Sequence, residues 1–329
     1  MKKNLKEILR LVKKSKKILI TSHSDPDGDS IGSQLALSFF LESFKKEITI
    51  INQGQVPEKY LFLDPEKKIK NDQSEDSQDF QPDLVFALEC SYLERIGWVK
   101  KLISPGTPII NIDHHQDNQG FGTINILDKK ASAVGEVVYE LLKEAKFKIS
   151  APVANWLYTA ILTDTGRFRF SSTTSKSLEI CAELMDKGAE PKVLTDKIYY
   201  SLRLADLKFL GYALSNMEVD EEGKISAITL DKKTLEEFQV NMENTEGMAD
   251  YSLFLRGAKV GILFKEVDSN RIKVSLRSQD NLDISKIARV FGGGGHKNAA
   301  GCTIKGSLAE AKEKMIKELS DSRASIELK

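Results

Sequence analysis

The sequence predicts an α/β protein. A larger N-terminal domain, with a mostly parallel sheet flanked by helices, is linked to a smaller C-terminal α/β domain with a mixed sheet. Three observations support this prediction. The first half alternates short β-rich apolar runs with helical patterns, which is typical of parallel sheets covered on both faces. The chain has 329 residues, whereas a single domain usually has roughly 100–200. A second series of strand and helix patterns begins near residue 217.

The N-terminal series begins with an amphipathic helix, because its apolar residues recur at helical spacing among lysines rather than in one block. It is therefore not a signal peptide. Strands are expected in KKILITSH, EITIIN, DLVFALE and PIINIDHH. Further helices are expected in IGSQLALSFFLESFKK, ASAVGEVVYELLKEA, APVANWLYTAILTDTGRF and TSKSLEICAELMDKG. In the last of these, Thr174 is a candidate N-cap and Gly188 follows the helix end.

The C-terminal series has strands in KISAITL, VGILFKEV, RIKVSLRS and GCTIKG, and a helix in DISKIARVFG. The closing helix SLAEAKEKMIKELSDS begins with a capping box formed by Ser307 and Glu310. We expect one domain over residues 1–195, a helical linker over residues 196–215 and a second domain over residues 216–329.

Composition excludes several classes of function. Lysine plus arginine and aspartate plus glutamate both number 48, giving a formal net charge of +0. Proteins that bind long nucleic acids usually have a strongly basic face, so any nucleic-acid substrate should be short. The 3 cysteines are widely spaced and form no CxxC pair, which favours a reduced, cytoplasmic location. No apolar segment is long enough to span a membrane.

Polar clusters follow three of the predicted strands. HSDPDGDS, from His23 to Ser30, follows the first strand, Glu89 ends LVFALE, and Asp113 to His115 end PIINI. Asp164 closes a later helix. Ligand sites of parallel sheets lie beyond the carboxyl ends of the strands, so we expect the three strand-end clusters on one edge. Three close carboxylates repel one another unless a cation neutralises them, and this favours a metal site.

A calcium loop and a helix-capping turn each account for less of HSDPDGDS than a metal site does. A calcium EF-hand loop starting at Asp25 needs glycine and glutamate where the chain has Ser30 and Ala36. A turn with aspartates capping a helix accounts for one aspartate, but not for His23 together with Asp27 and Asp29. Imidazole and carboxylate ligands without thiolates suit Mn²⁺ or Mg²⁺, with Fe²⁺, Co²⁺ and Zn²⁺ as alternatives.

The second domain contains FGGGGHKNAAG, from Phe291 to Gly301. Consecutive glycines let backbone amides approach an anion, and His296 and Lys297 add charge beside them. A flexible hinge has a similar composition. Because Arg277 and Ser278 precede the run at the end of a strand, we favour a phosphate-recognition loop.

The motifs HSDPDGDSIGS, IDHH, LTDTGRF and GGGGHKNAAG, in this order, resemble those of the DHH phosphoesterases that carry the DHH-associated C-terminal domain. The resemblance is greatest to the short members of the family. These are oligoribonucleases with pAp phosphatase activity and the related cyclic-di-AMP or pApA phosphodiesterases.

The resemblance implies roles for individual residues. Two divalent ions, expected to be Mn²⁺, are held by His23, Asp27, Asp29, Glu89, His114 and Asp164. Asp113 orients the neighbouring imidazole, and His115 contacts the scissile phosphate or donates a proton. Substrate is held from the smaller domain by Arg277, Ser278, Gly294, Gly295 and His296. Residues 1–195 are then the DHH catalytic domain, and residues 216–329 are the substrate-binding domain.

One position departs from the family pattern, because the family usually has aspartate where this chain has Glu89. That aspartate bridges both ions. Glutamate keeps the charge but adds a methylene, which either shifts the ions or is absorbed by the backbone. A misplacement of about 1 Å can cost on the order of 100-fold in rate.

The expected activity is Mn²⁺-dependent hydrolysis of very short oligoribonucleotides, such as pApA and pGpG, to 5′-mononucleotides, with pAp 3′-phosphatase activity in addition. The alternatives are a cyclic-di-AMP phosphodiesterase and a nucleotide-binding sensor whose catalysis is weakened by Glu89. The expected partners are these dinucleotides and pAp, with no long nucleic acid and no membrane. The resemblance also implies a homodimer.

Overall fold

The computed structural model of the protein describes residues 2–71, 80–240, 245, 247–279 and 282–322. The chain divides into two units, Met1–Ser201 and Leu202–Lys329. The division falls inside the segment 196–215 that we expect to be a linker. The functional roles assigned to the two domains stay predictions.

The N-terminal unit contains one sheet of six parallel strands. The strands are β1 (Lys17–Thr21), β2 (Glu47–Ile51), β3 (Ile69–Lys70), β4 (Leu84–Leu88), β5 (Ile109–Asp113) and β6 (Ile124–Leu127). Their order is β3-β2-β1-β4-β5-β6, and every neighbouring pair is parallel. The predicted α/β class and parallel sheet are confirmed.

Helices precede, interrupt and follow the series of strands in this unit. They are α1 (Lys2–Lys14), α2 (Gly28–Glu42), α3 (Val134–Glu144), α4 (Ala151–Asp164), α5 (Ser175–Asp186) and α6 (Pro191–Tyr199). Two 3-10 segments, Glu58–Leu63 and Leu93–Leu102, complete the unit. Thr174 caps α5 through its side chain, as predicted.

The two faces of the parallel sheet bury different side chains of the same strands. On one face Ile18 and Phe86 join a core with apolar residues of α1 to α6. On the other face Leu19 and Val85 pack with residues of the 3-10 segment Leu93–Leu102. β4 and β5 are buried along their whole length, which accounts for their nearly continuous apolar sequences.

The strand order places a topological switch at β1 and β4. From β1 the chain runs outward through β2 and β3, and it then crosses back to β4 on the other side of β1. Loops diverge at such a point and leave a crevice at the carboxyl ends of the strands, where ligands of open α/β sheets bind.

Close packing of α2 against α4 fixes the helix that follows β1. A Cβ atom on Gly32 of α2 would lie 2.3 Å from the backbone oxygen of Trp156 in α4. Only glycine allows this approach without displacing backbone. The position of α2 is therefore set by a backbone contact.

The C-terminal unit contains a mixed sheet, as predicted. Its strands are β7 (Glu218–Val219), β8 (Ile225–Leu230), β9 (Val260–Asp268), β10 (Arg271–Ser278), β11 (Gly294–His296) and β12 (Ala299–Lys305). The order is β11-β12-β10-β9-β8-β7, with β8 and β9 parallel and the other pairs antiparallel. Its helices are α7 (Leu204–Ser215), α8 (Lys232–Glu237), α9 (Met248–Tyr251), α10 (Ser285–Val290) and α11 (Leu308–Asp321).

This second sheet also has apolar clusters on two faces. Ile262 and Val274 pack with Met315 of α11, and Ile228 and Leu263 pack with residues of α7, α8 and α9. The expected capping box of α11 is present, with Ser307 and Glu310 bonded reciprocally.

Among the described residues, no helix combines the length and apolar character needed to cross a membrane.

Candidate metal centre

The predicted polar residues of the N-terminal unit meet at the switch point of its sheet. His23 lies just beyond β1, Glu89 directly follows β4, and Asp113 is the last residue of β5, followed by His114. Because these strands are parallel neighbours, their carboxyl ends share one edge. All of these side chains are buried.

Glu89 lies in the middle of this group. Its backbone has φ of 58°, in the left-handed region that is uncommon for residues with a side chain. The carboxylate oxygen Oε1 lies 3.3 Å from Nε2 of His114 and 3.5 Å from Nδ1 of His115. The other oxygen, Oε2, is buried and makes no hydrogen bond to any described residue. A buried carboxylate oxygen of this kind is costly unless a hydrogen-bond donor or a cation satisfies it, and a metal ion would do so.

His114 is oriented by a backbone carbonyl. Its Nδ1 lies 3.1 Å from the oxygen of Ala131, which can only accept, so Nδ1 carries a hydrogen and donates. Its Nε2 then faces Oε1 of Glu89 and, at 3.4 Å, Oδ2 of Asp164. An imidazole nitrogen between two carboxylates needs a cation, which is either a proton or a metal ion. A backbone acceptor on the remote nitrogen is the usual support of a metal-binding histidine.

Asp29 is held by the start of α3. Its two oxygens accept hydrogen bonds from the backbone nitrogens of Val134 and Gly135, at 2.6 and 2.9 Å. The hydroxyl of Ser33 donates to Asp29 Oδ1 at 3.0 Å. A helix N-terminus stabilises negative charge, and the Asp29 carboxylate is thereby fixed in one orientation.

The two carboxylate oxygens of Asp27 have different neighbours. Its Oδ1 accepts from the backbone nitrogen of Ser30 at 2.9 Å and caps α2. Its Oδ2 lies 4.0 Å from Nε2 of His23. Nδ1 of His23 is buried and makes no hydrogen bond to any described residue. Helix capping therefore accounts for one of the two oxygens of Asp27. The Nδ1 atom of His23 has no such structural role among the described residues.

Asp113 is fully buried and saturated with donors. Nδ1 of His115 donates to Asp113 Oδ1 at 2.8 Å, and the backbone nitrogen of His114 donates to the same oxygen at 2.8 Å. Asn118 donates to Oδ2 at 2.6 Å. The carboxylate therefore holds the His115 ring in place.

The pKa values show how the cluster carries its charge. Burial alone would raise the pKa of Glu89, but the imidazoles of His114 and His115 outweigh it and hold that pKa well below its usual value. Burial raises the pKa of Asp29 well above its usual value, and Glu89 and Asp164 add to the effect. Burial raises the pKa of Asp164 to about 7, against the attraction of His114. Not every carboxylate of this cluster ionises readily without a further cation.

The donor set fits divalent cations. Asp29, Glu89 and His114 each offer one ligand atom within 4.8 Å of the others, and so do Glu89, Asp113 and His115. Glu89 belongs to both groups. Carboxylate and imidazole donors without thiolate suit Mn²⁺, Mg²⁺ and related ions. Pairing of Glu89 with Asp113 and His115 is a combination that the sequence did not suggest.

In the C-terminal unit the predicted substrate residues lie at one end of the sheet. Arg277 on β10 and His296 on β11 both pair with Ala299, from opposite sides of β12. Gly294 and Gly295 form β11 with His296. The glycine run is therefore partly an edge strand rather than a loop throughout. Gly295 has φ of 136°, and a Cβ there would lie 2.6 Å from the oxygen of Ala299, so close backbone approach requires this glycine.

Two of these residues have partners within their own unit. The Ser278 hydroxyl donates to the oxygen of Leu282 at 2.7 Å and accepts from Asn298 at 3.0 Å. The Nε of Arg277 donates to Asp250 at 2.8 Å. Asp250 thus orients the guanidinium, a contact across 27 residues that no sequence pattern indicated.

Sequence reasoning also missed Arg95 and Asn118. The guanidinium of Arg95 lies 3.4 Å from Nε2 of His115. Arg95 stands in ECSYLERIG, a segment without regular periodicity. Its position six residues after Glu89 is the sequence signal that could have indicated a place near the site. Asn118 follows IDHH in a polar loop, where asparagine is ordinary.

Comparison with known proteins identifies the family. Residues 17–161 match the DHH family, N-terminal domain, and residues 223–323 match the DHHA1 domain. The chain is 30% identical over 305 residues to the bifunctional oligoribonuclease and PAP phosphatase NrnA of Thermus thermophilus, covering 91% of this chain and 88% of that relative. The chain belongs to the DHH family.

Two further proteins are similar to this DHH-family chain. NrnA of Bacillus subtilis, named likewise, is 29% identical over 301 residues, which cover 91% of this chain and 92% of that relative. A crystal structure of an exopolyphosphatase-related protein from Bacteroides fragilis has a TM-score of 0.90 at 28% identity, covering 99% of this chain and 98% of that one.

Membership of the DHH family confirms the resemblance drawn from the motifs. It makes this protein a hydrolase that acts on phosphodiester bonds. The family also implies use of a divalent metal ion, for which the cluster around Glu89 has suitable donors.

Proposed function

We propose that this DHH-family protein hydrolyses very short oligoribonucleotides, such as pApA and pGpG, to 5′-mononucleotides, and that it also removes the 3′-phosphate of pAp. The observation that carries the proposal is the position of Glu89, whose carboxylate belongs to two ligand groups at the switch point of the sheet. The names of the similar proteins from Thermus thermophilus and Bacillus subtilis support the two activities.

The proposed ligands would hold two Mn²⁺ ions. They are His23, Asp27, Asp29, Glu89, His114 and Asp164. When bound, such a pair of ions supplies an activated water and stabilises the charge that develops on the phosphoryl oxygens. Two buried atoms support this assignment, namely Oε2 of Glu89 and Nδ1 of His23. Neither makes a hydrogen bond to any described residue, and each has a lone pair that can bind a metal ion when it is not protonated.

The protein side chains orient the reaction. Asp113 accepts the Nδ1 hydrogen of His115, so Nε2 is the ring nitrogen that can reach substrate. We assign His115 to contact with the scissile phosphate and to proton donation toward the leaving oxygen, and Asp113 to fixing its ring. Asp113 also accepts a hydrogen bond from the backbone nitrogen of His114. This second bond helps to fix the end of the strand.

Substrate binding is also proposed for the C-terminal unit. The residues assigned are Arg277, Ser278, Gly294, Gly295 and His296. Arg277 and His296 flank Ala299 from the two strands on either side of β12, which supports a shared anion site. The formal net charge of +0 supports short substrates over long ones, because long single strands are bound through many phosphate contacts.

The deciding experiment measures release of AMP from pApA with Mn²⁺ or Mg²⁺, with cyclic-di-AMP and pAp in parallel. The variant Asp29→Asn should lose activity by at least about 100-fold, because a misplaced or missing ligand costs that much. Glu94→Gln is the control, since Glu94 is exposed and pairs with Lys100. Cleavage of pApA and pAp supports the proposal, and preference for cyclic-di-AMP overturns it.

Glu89→Asp tests whether the glutamate weakens the centre. Under the proposal, the native protein hydrolyses pApA. The Glu89→Asp substitution then changes the rate or the metal preference, but activity does not depend on it. Binding of pApA without cleavage by the native chain, rescued in Glu89→Asp, would make the protein a nucleotide sensor instead.

A further inference from the structure

Arg95 brings a positive charge to the metal-ligand cluster. Its Nη1 lies 3.4 Å from Nε2 of His115. In the described part of the chain, the half-buried guanidinium forms no ion pair, although acidic side chains surround His115. Arginine has five N–H donors in a planar fork that matches phosphate oxygens. Contacts with the described residues therefore leave most of this donor capacity for a ligand.

The backbone of Arg95 is fixed from two sides. Its carbonyl oxygen accepts from the backbone nitrogen of Ser24 at 2.8 Å, and its own nitrogen donates to Tyr92 at 3.2 Å. Ser24 directly follows His23 in the first ligand loop. The guanidinium therefore extends from a segment attached to the candidate metal centre, and its place beside His115 is not that of a loosely held surface side chain.

We propose that Arg95 binds the phosphate on which the site acts and favours a phosphate monoester over a diester. The proposal rests on the proposed function and adds a specificity residue to it. A terminal monoester, such as the 3′-phosphate of pAp, carries up to two negative charges on its non-bridging oxygens near neutral pH, whereas the internal diester of pApA carries one. Coulomb attraction to a fixed cation scales with that charge, so Arg95 contributes more to the monoester reaction.

A purely structural role for Arg95 makes a different prediction. If the guanidinium only donated to Nε2 of His115 and held the ring, its loss would disturb both substrates alike and act through kcat. Substrate binding by Arg95 instead changes the ratio of the two activities, and it acts on KM at least as much as on kcat.

The test compares Arg95→Gln and Arg95→Lys with the native protein, using pAp and pApA with Mn²⁺. A charge-assisted hydrogen bond is worth roughly 10- to 100-fold. We expect Arg95→Gln to lower kcat/KM for pAp by about 100-fold and for pApA by about 10-fold, with Arg95→Lys between Gln and native. Lys100→Gln, in the same 3-10 segment and paired with Glu94, is the matched control and should change neither.

Equal losses on both substrates, or no loss, would overturn the proposal. A second measurement separates it from the proposed function. Inorganic phosphate and dimethyl phosphate are titrated calorimetrically into metal-loaded native and Arg95→Gln proteins at pH 8, where the first is a dianion and the second a monoanion. Weaker binding of phosphate by the variant, with dimethyl phosphate affected less, supports the role of Arg95 even if pAp and pApA are not the substrates. Unchanged phosphate affinity overturns it.

Discussion

Oδ1 of Asp29 lies 2.9 Å from the backbone nitrogen of Gly135, which is 106 residues later in the chain. The contact joins the first turn of α2 to the first turn of α3. A candidate metal ligand is thus held by the N-terminus of a helix, whose dipole favours the carboxylate form. The geometry of the centre consequently depends on how α3 begins.

Glu136→Gln should weaken metal binding from outside the ligand set. Glu136 is buried, and its Oε1 accepts from the backbone nitrogen and the hydroxyl of Ser132, which closes the turn before α3. The amide is isosteric but lacks the negative charge, and its NH2 group takes the buried position of Oε2, which makes no hydrogen bond to any described residue. We expect about 10-fold weaker Mn²⁺ affinity by calorimetry, with Glu140→Gln, one turn later in α3, as the control. Unchanged Mn²⁺ affinity with a lower Tm would show that Glu136 serves only the fold.

Glu89→Gln should remove metal binding more completely. The amide keeps the shape but loses the charge facing His114, and its nitrogen cannot ligate. The Mn²⁺ affinity should fall by more than the roughly 10- to 100-fold that the loss of a supporting residue costs. Calorimetric titration with Mn²⁺ measures this without any substrate. Native-like affinity in the variant would mean that Glu89 is not a ligand.

Asp164 should contribute less to the stability of the metal-free protein as pH rises. The pKa of Asp164 is raised from 3.8 to about 7, so between about pH 4 and pH 7 the folded state binds a proton that the unfolded state has lost. The contribution of Asp164 to the free energy of unfolding then decreases with pH, by up to roughly 4 kcal/mol at about 1.4 kcal/mol for each pKa unit. Urea unfolding in EDTA measures it. Asp164→Asn should flatten the slope and Asp186→Asn should not; equal slopes in all three proteins would contradict the assignment.

Gly32→Ala should destabilise the N-terminal unit. The added Cβ would lie 2.3 Å from the oxygen of Trp156, and overpacking of this kind costs about 1–3 kcal/mol. Gly211→Ala is the control, since nothing lies within 4 Å of a Cβ there. In α7 that change should stabilise by about 0.5–1 kcal/mol. Thermal unfolding distinguishes the two, and similar Tm shifts in both variants would show that the contact with Trp156 does not set the cost.

Much of the N-terminal sheet follows from local pattern. β1, β4 and β5 are short apolar runs ending in polar residues, and a buried parallel strand needs just that pattern. Because the predicted strands are parallel, the polar residues at their carboxyl ends were expected at one edge of the sheet. Sequence pattern did not predict β6, because TINIL lies among polar and glycine residues; in the structure it pairs with β5 and its burial alternates.

The metal-ligand candidates were predictable by residue type, but their orientation was not. The left-handed backbone of Glu89, with φ of 58°, depends on tertiary contacts that local preference opposes. Likewise, Asp29 contacts the first turn of α3, and Arg95 contacts His115. Both contacts join segments that are separated in the sequence. The glycine run was predicted as a loop, whereas Gly294–His296 pairs with β12, because glycine is compatible with either state.

The crowded carboxylates around Glu89 bear on how long the protein survives as well as on what it does. A ligand that binds only the folded state raises its population by mass action, and here the ligand would be a divalent cation held by carboxyl groups, of which Asp29 and Asp164 have raised pKa values without it. In a cell short of that cation, a larger share of the chains is unfolded at any moment and open to proteases. At constant synthesis, the abundance of the protein would then follow the supply of that metal ion.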